Sequence, residues 1–396
     1  MSTHTVVHTP VGGPLLTRTM RILLMIIAVG LIAMLYRFAT GLHPVSALND
    51  GYPWGVWIAL DVVTGTALGC GGYAVALLVY ILNRGHYHPL VRPAVLTSLL
   101  GYGLAVLAVT VDLGRFWELW KVPVMFWRWS HSPQLEVALC VAAYTLVLLL
   151  ELSPAFFEKW RHSANTGLRD LARNGLGLIN RVLPFLLALG MLLPTMHQSS
   201  LGTMMMLAGP KLHPLWLTPW LPFLFLVGCL GMGYAIVVLE ATFSARAFGR
   251  PRETAMLASL STVVAWVALF WAAFRVGEVV LAGELGLVLA PRGLAFLVEV
   301  GLHLAGAIIL LSPARRASPM WQTRAAILLV LAGTVYRINT YLVAFMPGGE
   351  WSYFPSLTEL FITFGIFALE IALYIAAVKL FPILSGPAPA PAVARR

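Results

Sequence analysis

The stretch SPQLEVALCVAAYTLVLLL (Ser132–Leu150) holds one charged side chain, Glu136, at the head of an otherwise apolar run. At 1.5 Å per residue, about 20 such residues cross the ~30 Å hydrocarbon core of a bilayer. A charged carboxylate in that core costs a few kcal/mol, so one kept at the mouth of a lipid-adapted helix asks for a function. A second stretch, FLVEVGLHLAGAIILLSP (Phe296–Pro313), sets Glu299 in nearly the same surroundings.

The rest of the chain has the same character. Its 396 residues are 59% hydrophobic and 11% charged, with a mean hydropathy of +0.84. A soluble globular protein carries about 25% charged residues. Ten apolar runs of spanning length are found, at 20–38, 54–82, 93–114, 134–152, 178–198, 216–240, 256–275, 290–311, 325–346 and 359–381. The fold class expected is an all-α polytopic membrane protein of ten transmembrane helices. The first run lacks a small-residue cleavage site and reads as a retained anchor.

The net charge of +10 follows the membrane rather than a nucleic acid. With the N-terminus inside, the cytoplasmic segments hold 18 of the 26 Lys and Arg residues and the opposite loops hold 6. That is the positive-inside pattern. It places both termini in the cytoplasm, in a bacterial inner membrane, with membrane lipid as the surrounding partner and no nucleic acid expected.

Cys70, Cys140 and Cys229 all fall inside predicted spans with no CxxC, so they read as small core residues rather than cluster ligands. Of the ten histidines, only His197 and His303 lie within spans. His197 is expected near the outer end of span 5, and His303 about 20 Å down span 8. Two axial haem ligands must meet at one depth, which this spacing does not provide. No haem, iron–sulfur cluster or metal is therefore expected in this chain.

The sequence also repeats itself. CGGYAVALLVY begins at Cys70 and GMGYAIVVLEA at Gly231, 161 residues apart. An offset of 160 sets Arg115 over Arg275 and Glu118 over Glu278, and LEVALC then matches VEVGLH, with Ser-Pro closing both helices. A common offset in a common order points to two four-helix bundles inserted in the same sense. The expected layout is a cytoplasmic segment 1–19, a flanking helix and loop 20–53, a first bundle 54–202 and a second bundle 203–346. A last flanking helix 347–382 and a flexible tail 383–396 complete it.

Intramembrane ionisable groups are functional candidates. Asp61, Asp112, Glu136 and His197 are expected near the outer face of the first bundle. Glu151, Glu240, Glu299, His303 and Glu370 are expected toward the inner half, with Glu299 and His303 one helical turn apart. Arg337, mid-span, is suited to balance a buried carboxylate. Asp112, Glu136 and His197, one from each of three helices at a single level, make the candidate site. Beside them RFWELWKVPVMFWRWS (Arg115–Ser130) mixes tryptophans with Arg115, Lys121 and Arg128, and TMHQSSLG (Thr195–Gly202) adds Gln198. Interfacial tryptophans anchor helices at headgroup level. The same mixture also roofs a flat apolar ligand or docks a partner. A quinone needs an apolar slot and a proton-exchanging group at each carbonyl.

LPTMHQSSLGTMM, DLGR followed by the aromatic loop and SPQLE, YRINTYLVAF and PGGEWSYFPSLTELFITFG together resemble the NrfD/PsrC family of membrane subunits. The likeness runs from about Arg21 to Phe381. Within the family it is nearest the HybB-like branch, the integral membrane subunits of periplasm-facing nickel-iron hydrogenases. The resemblance implies two four-helix bundles with extra flanking helices, and no metal or haem. It also implies electron exchange between menaquinone or ubiquinone and a periplasmic ferredoxin-like iron–sulfur subunit, with hydrogenase small and large subunits beyond it. It places the quinone near Asp112, Glu136 and His197 at the outer face, with Tyr102 deeper and Glu240 toward the cytoplasm on a proton route. Relatives serving polysulfide, nitrite or other dehydrogenases share the skeleton. Asp61, Glu299, His303 and Glu370 would extend the route, which would deliver cytoplasmic protons to Glu136.

Two other readings stand beside this one. Ten helices and internal repeats also describe secondary transporters, whose sites sit at broken helices near the midplane. A structural anchor without chemistry would have no use for Glu136 and His197.

Overall fold

The computed structural model describes residues 8–385; residues 1–7, and residues 386–396 of the expected tail, lie outside the described part. Ten helices there are long and apolar enough to cross a membrane. They are α1 (Arg18–Thr40), α2 (Trp57–Ile81), α3 (Gly85–Asp112), α4 (Pro133–Trp160) and α5 (Thr166–Met206), then α6 (Leu221–Ala247), α7 (Thr254–Leu281), α8 (Gly293–Leu311), α9 (Pro319–Val343) and α10 (Leu357–Leu380). The outer end of the molecule bears the 113–132 loop, and the inner end is the opposite one.

The ten runs read from hydropathy are these ten helices. The largest departure is α5, whose 41 residues extend beyond the expected 178–198 at both ends. Its first turns carry Arg169, Arg173 and Arg181, so hydropathy alone ended the span where the helix leaves the apolar slab.

Helices α2–α5 close into a ring, each packing on the next and α5 returning to α2, and α6–α9 close in the same way. The rings meet where α2 and α5 face α6 and α9, and the α1–α10 pair leans on α2 and α3 of the first ring. Two contacts set these distances. A Cβ on Gly233 would lie 2.6 Å from the Cys70 carbonyl oxygen, and one on Gly30 would lie 2.7 Å from Gly365 Cα. Helices approach this closely in lipid only through small residues, because packing and not the hydrophobic effect holds them together.

The chain is least regular where the rings meet. Widened π turns occupy Trp57–Thr64 and Leu77–Ile81 of α2, with a break at Gly69–Cys70, and α9 ends in another at Asn339–Val343. Such turns free carbonyls that must find donors inside the protein. The donors that answer them belong to the site.

Candidate functional site

The centre of the first ring is polar and closed to solvent. Gln198 and its neighbour His197, both wholly buried, lie eight and nine residues before the end of α5, about 14 Å down the helix. The Gln198 amide donates to Thr66 Oγ1 at 3.2 Å, and its nitrogen lies 3.1 Å from His197 Nε2. Its carbonyl accepts from Arg337 Nη2 at 3.1 Å. Arg337, also fully buried, donates to the carbonyls of Val63 at 3.2 Å and Phe225 at 3.0 Å and to Met232 Sδ at 3.3 Å. Val63 lies in a widened turn of α2, which explains its spare carbonyl. The His197 ring sits edge-on to Tyr102, centroids 5.5 Å apart, and Tyr102 in turn meets Tyr144 at 4.7 Å. The Tyr102 hydroxyl lies 3.5 Å from Cys70 Sγ. His197 Nδ1 is buried without a partner.

Two expectations change here. Arg337 balances no carboxylate: the ion pairs among the described residues do not include it. Its guanidinium is solvated by neutral acceptors from both rings instead. Nor do Asp112, Glu136 and His197 share one level. Asp112 ends α3, ten residues or about 15 Å beyond Tyr102. Glu136 lies in the first turn of α4, eight residues or about 12 Å beyond Tyr144. These two form an outer rim, and His197 with Tyr102 forms a floor. Hydropathy misjudged the depth because it cut α5 short.

At the rim Asp112 Oδ1 is buried without a partner, in the field of Glu359 and Arg37. Arg37, 1% exposed on α1, donates to Val111 O at 2.7 Å and to Leu113 O. It thereby caps carbonyls that the end of α3 leaves unpaired. Glu136 is half-buried. Arg115 is exposed on the following loop, where Glu118 pairs with Lys121 at 2.8 Å. Trp117, Trp120, Trp127 and Trp129 on that loop are 46–61% exposed, an aromatic and basic platform beside the rim.

The second ring is arranged differently. Glu299, expected toward the inner half as a relay, is fully buried in the outer half of α8. Its Oε1 faces Arg275 Nε at 3.3 Å, and its Oε2 accepts from Trp216 Nε1 at 3.1 Å and Asn339 Nδ2 at 2.8 Å. Arg275 also pairs with Glu278 and donates to Leu215 O. Every oxygen of Glu299 is thus occupied. His303 stacks on Trp271 at 3.9 Å, with Nδ1 2.8 Å from the Glu299 carbonyl.

The two histidines, expected at different depths, are corrected in the same way. His303 lies ten residues into α8, about 15 Å from its outer end, comparable to His197 on α5, and the field of Arg337 reaches both. Arg337 and the Trp271 indole both pack against Gly228, where an added Cβ would lie 3.3 Å from Arg337 Nη1 and 3.6 Å from Trp271 Nε1. No group of three or more His, Cys, Asp or Glu able to hold a metal occurs among the described residues.

The remaining candidates gather on α10. Asp61 Oδ2 accepts from Thr363 Oγ1 at 2.8 Å, and its Oδ1 is buried and unpartnered. Glu370 lies on the same helix as Thr363, seven residues further on. Toward the inner end Glu240 accepts from the Tyr374 hydroxyl and, at 3.1 Å, from Thr97 Oγ1. Sequence reasoning missed Arg37, Thr97, Thr363 and Tyr374, and left Arg275 without a partner. A threonine or tyrosine among apolar residues carries no signal of its own; Arg37, inside a span, was legible as an intramembrane charge.

Residues 44–345 match the family described as "Polysulphide reductase, NrfD". The chain is 38% identical over 385 residues, 95% of its length and 94% of the relative's, to the probable Ni/Fe-hydrogenase 2 b-type cytochrome subunit of Escherichia coli (strain K12). It is 29% identical over 358 residues, 83% of each chain, to the integral membrane subunit of menaquinone reductase from Nitratidesulfovibrio vulgaris. A shorter likeness, 27% over 135 residues and about a third of each chain, links it to a subunit of selenate reductase from Mesobacillus selenatarsenatis. These relatives are named as subunits of redox enzymes, and the matched region takes in both helical rings: the chain belongs to the NrfD family of multi-pass membrane proteins.

Proposed function

We propose that this chain is the quinone-reactive membrane subunit of a respiratory oxidoreductase, the HybB-like partner of a nickel-iron hydrogenase. Electrons would arrive from a periplasmic ferredoxin-like iron–sulfur subunit docked on the tryptophan-rich outer loop, with the hydrogenase small and large subunits beyond it. The acceptor would be menaquinone or ubiquinone, and the name of the menaquinone reductase relative favours the former. The membrane would be the bacterial inner membrane, with both termini in the cytoplasm.

One observation carries this reading. Among the described residues, the buried carboxyl and imidazole atoms left without a partner, Asp61 Oδ1, Asp112 Oδ1 and His197 Nδ1, belong to the first ring, whereas the second ring leaves only the hydroxyls of Ser244, Ser261 and Tyr336 unpartnered. Unpaired groups of this kind in hydrocarbon are costly and are kept where protons must be exchanged. Quinone reduction consumes two electrons and two protons per ring. Asp112 and Glu136 at the rim would serve a ring entering under the loop, and His197, held by Gln198 and faced by Tyr102, would orient and protonate from below. The Escherichia coli relative is named a b-type cytochrome subunit; here His197 Nε2 lies against the Gln198 amide and the His303 ring is stacked on Trp271, and no step is assigned to a haem.

The test is hydrogen-dependent reduction of a menaquinone analogue in membranes carrying the complete complex. Glu136→Gln and His197→Asn are expected to lower it by ~10²-fold, the scale of a lost general acid, with dye reduction by the partner subunits unchanged. Undiminished quinone reduction in both variants would remove the site from the first ring.

A further inference from the structure

The hydrogen bonds at the centre of the first ring admit one arrangement of hydrogens. A guanidinium only donates, so Arg337 Nη2, 3.1 Å from Gln198 Oε1, must face the oxygen end of that amide. The nitrogen end is fixed independently. Thr66 gives its single hydroxyl hydrogen to the Val62 carbonyl at 2.7 Å, and its oxygen is left to accept from Gln198 Nε2 at 3.2 Å. The other amide hydrogen lies toward His197 Nε2, at 3.1 Å. That ring nitrogen must therefore offer its lone pair, and a singly protonated imidazole then carries its hydrogen on Nδ1. Nδ1 is the atom of this ring that is buried without a partner.

The guanidinium that sets this order is itself held on several sides. It donates to the Val63 and Phe225 carbonyls at 3.2 and 3.0 Å, and its central carbon lies 5.0 Å from the centroid of the Phe225 ring. Val63 belongs to the widened turn Trp57–Thr64, where carbonyls are left for donors from elsewhere in the protein. A cation from the second ring and an irregular turn of the first thus act together on one amide. The amide in turn acts on one imidazole, whose free edge carries a donor that nothing in the chain accepts. Leaving such a donor unpaired in a buried site is costly, and it marks the place of an acceptor.

We infer that Arg337 and Gln198 are positioning residues that hold His197 in its Nδ1–H form, and that this hydrogen is a fixed donor to one carbonyl oxygen of the quinone. The inference rests on the quinone reading above and names the atom that does the orienting. A donor fixed before the ligand arrives needs no rearrangement as negative charge develops on the carbonyl oxygen during reduction. Arg337 then acts on the reaction without touching the quinone: its effect passes through the Gln198 oxygen to the tautomer of the histidine.

The test is magnetic resonance on the intact complex in nanodiscs, with isotope-labelled histidine ring nitrogens and the His197 signals identified by their loss in His197→Asn. The wild type is expected to show hydrogen on Nδ1 and a bare Nε2, and a short-tailed menaquinone analogue to shift the Nδ1–H signal. Gln198→Glu sets a carboxylate oxygen against Nε2. The hydrogen is then expected to move to Nε2, and hydrogen-dependent reduction of the analogue to fall about tenfold, the scale of one lost hydrogen bond, chiefly through a higher KM. Arg337→Lys keeps a cationic donor for the amide oxygen and should retain the tautomer and most of the rate, whereas Arg337→Met should lose both. Dye reduction by the partner subunits serves as the measure of assembly. Hydrogen on Nε2 in the wild type, an analogue that is reduced without shifting the Nδ1–H signal, or full rate in Gln198→Glu with the tautomer reversed would each overturn the fixed donor and leave the quinone reading standing. A wild-type complex that passes no electrons to the analogue would overturn that reading, and the donor role with it.

Discussion

The two rings descend from one pattern and have settled their buried charges in opposite ways. In the second, Arg275 lies between Glu278 and Glu299, and Trp216 and Asn339 close the remaining valence of Glu299. In the first, the matching Arg115 is exposed and Glu118 pairs with Lys121 at the surface. Glu136, the counterpart of Glu299, is half-buried at the rim. The buried cation that reaches the first ring's centre, Arg337, comes from the second ring and is held by neutral groups. A neutralised cluster stabilises and does nothing further, whereas unneutralised groups remain free to trade protons. The two rings thus differ in that the buried carboxylate of one is neutralised and the polar groups of the other are not, and the proposed function rests on that contrast.

The sharpest way to break this comparison is to exchange the losses. Arg275→Met strands Glu278 and Glu299 without their cation, a change worth about 3–5 kcal/mol when one member of a buried pair is removed. Loss of folded protein is expected, read as a collapse in yield and in thermal unfolding temperature in detergent. Arg337→Met removes a donor from neutral acceptors only, costing about 1–3 kcal/mol per group left unsatisfied. It should leave a purifiable protein with quinone reduction strongly impaired. Equal destabilisation by the two variants would mean that the first ring is as structurally dependent on its charge as the second.

How far the sequence could carry this contrast is itself informative. Ten spans, the sidedness of Lys and Arg, and the duplication rest on periodicity and composition, which lipid enforces over whole helices. The matching of Arg275 and Glu278 to Arg115 and Glu118 was legible as an offset. The opposite fates of those pairs were not, because they depend on whether α7 continues as helix through Glu278 while α3 stops at Asp112. Depth was the other failure. His197 seemed to lie at the rim because the apolar run ended there, yet α5 runs on for nine residues past it. Arg337 invited a carboxylate partner, and the carbonyls freed by widened turns in α2 could not be seen in a string of letters.

A second substitution sharpens the role of the flanking pair. At the α1–α10 crossing a side chain on Gly365 would meet Gly30 Cα at 2.8 Å, backbone against backbone, where nothing can swing aside. Gly365→Val is expected to cost about 1–3 kcal/mol, as overpacking of a tight contact does. If α10 serves only the first ring, the loss should appear as weaker quinone reduction, with the Arg275 cluster undisturbed. A matching drop in the stability of α7 and α8 by hydrogen exchange would mean that the flank braces both rings.

The smallest effect lies at the inner end, where the N-terminal segment docks beside α3 and α4 of the first ring. Thr9 and Val11 donate backbone hydrogen bonds to Leu384 and Val378, and His8 Nδ1 lies 3.0 Å from the Ile383 carbonyl oxygen. Burial, helped by the positive charge of Arg92, lowers the His8 pKa from 6.5 to about 4. The docked ring therefore stays neutral down to about pH 4, while a released ring takes up its proton near 6.5. Between those values the released segment binds more protons than the docked one, so docking weakens as the pH falls through that window and is indifferent to pH above it. Amide-exchange protection at Thr9 and Val11 is expected to drop severalfold between pH 7 and pH 5, and His8→Gln should flatten that dependence. The Arg275 cluster of α7 and α8, at the outer end and away from the bond by which Arg250 of the α6–α7 loop holds Thr9, serves as the internal reference: a parallel loss of protection there would assign the effect to the bundle as a whole and not to the histidine.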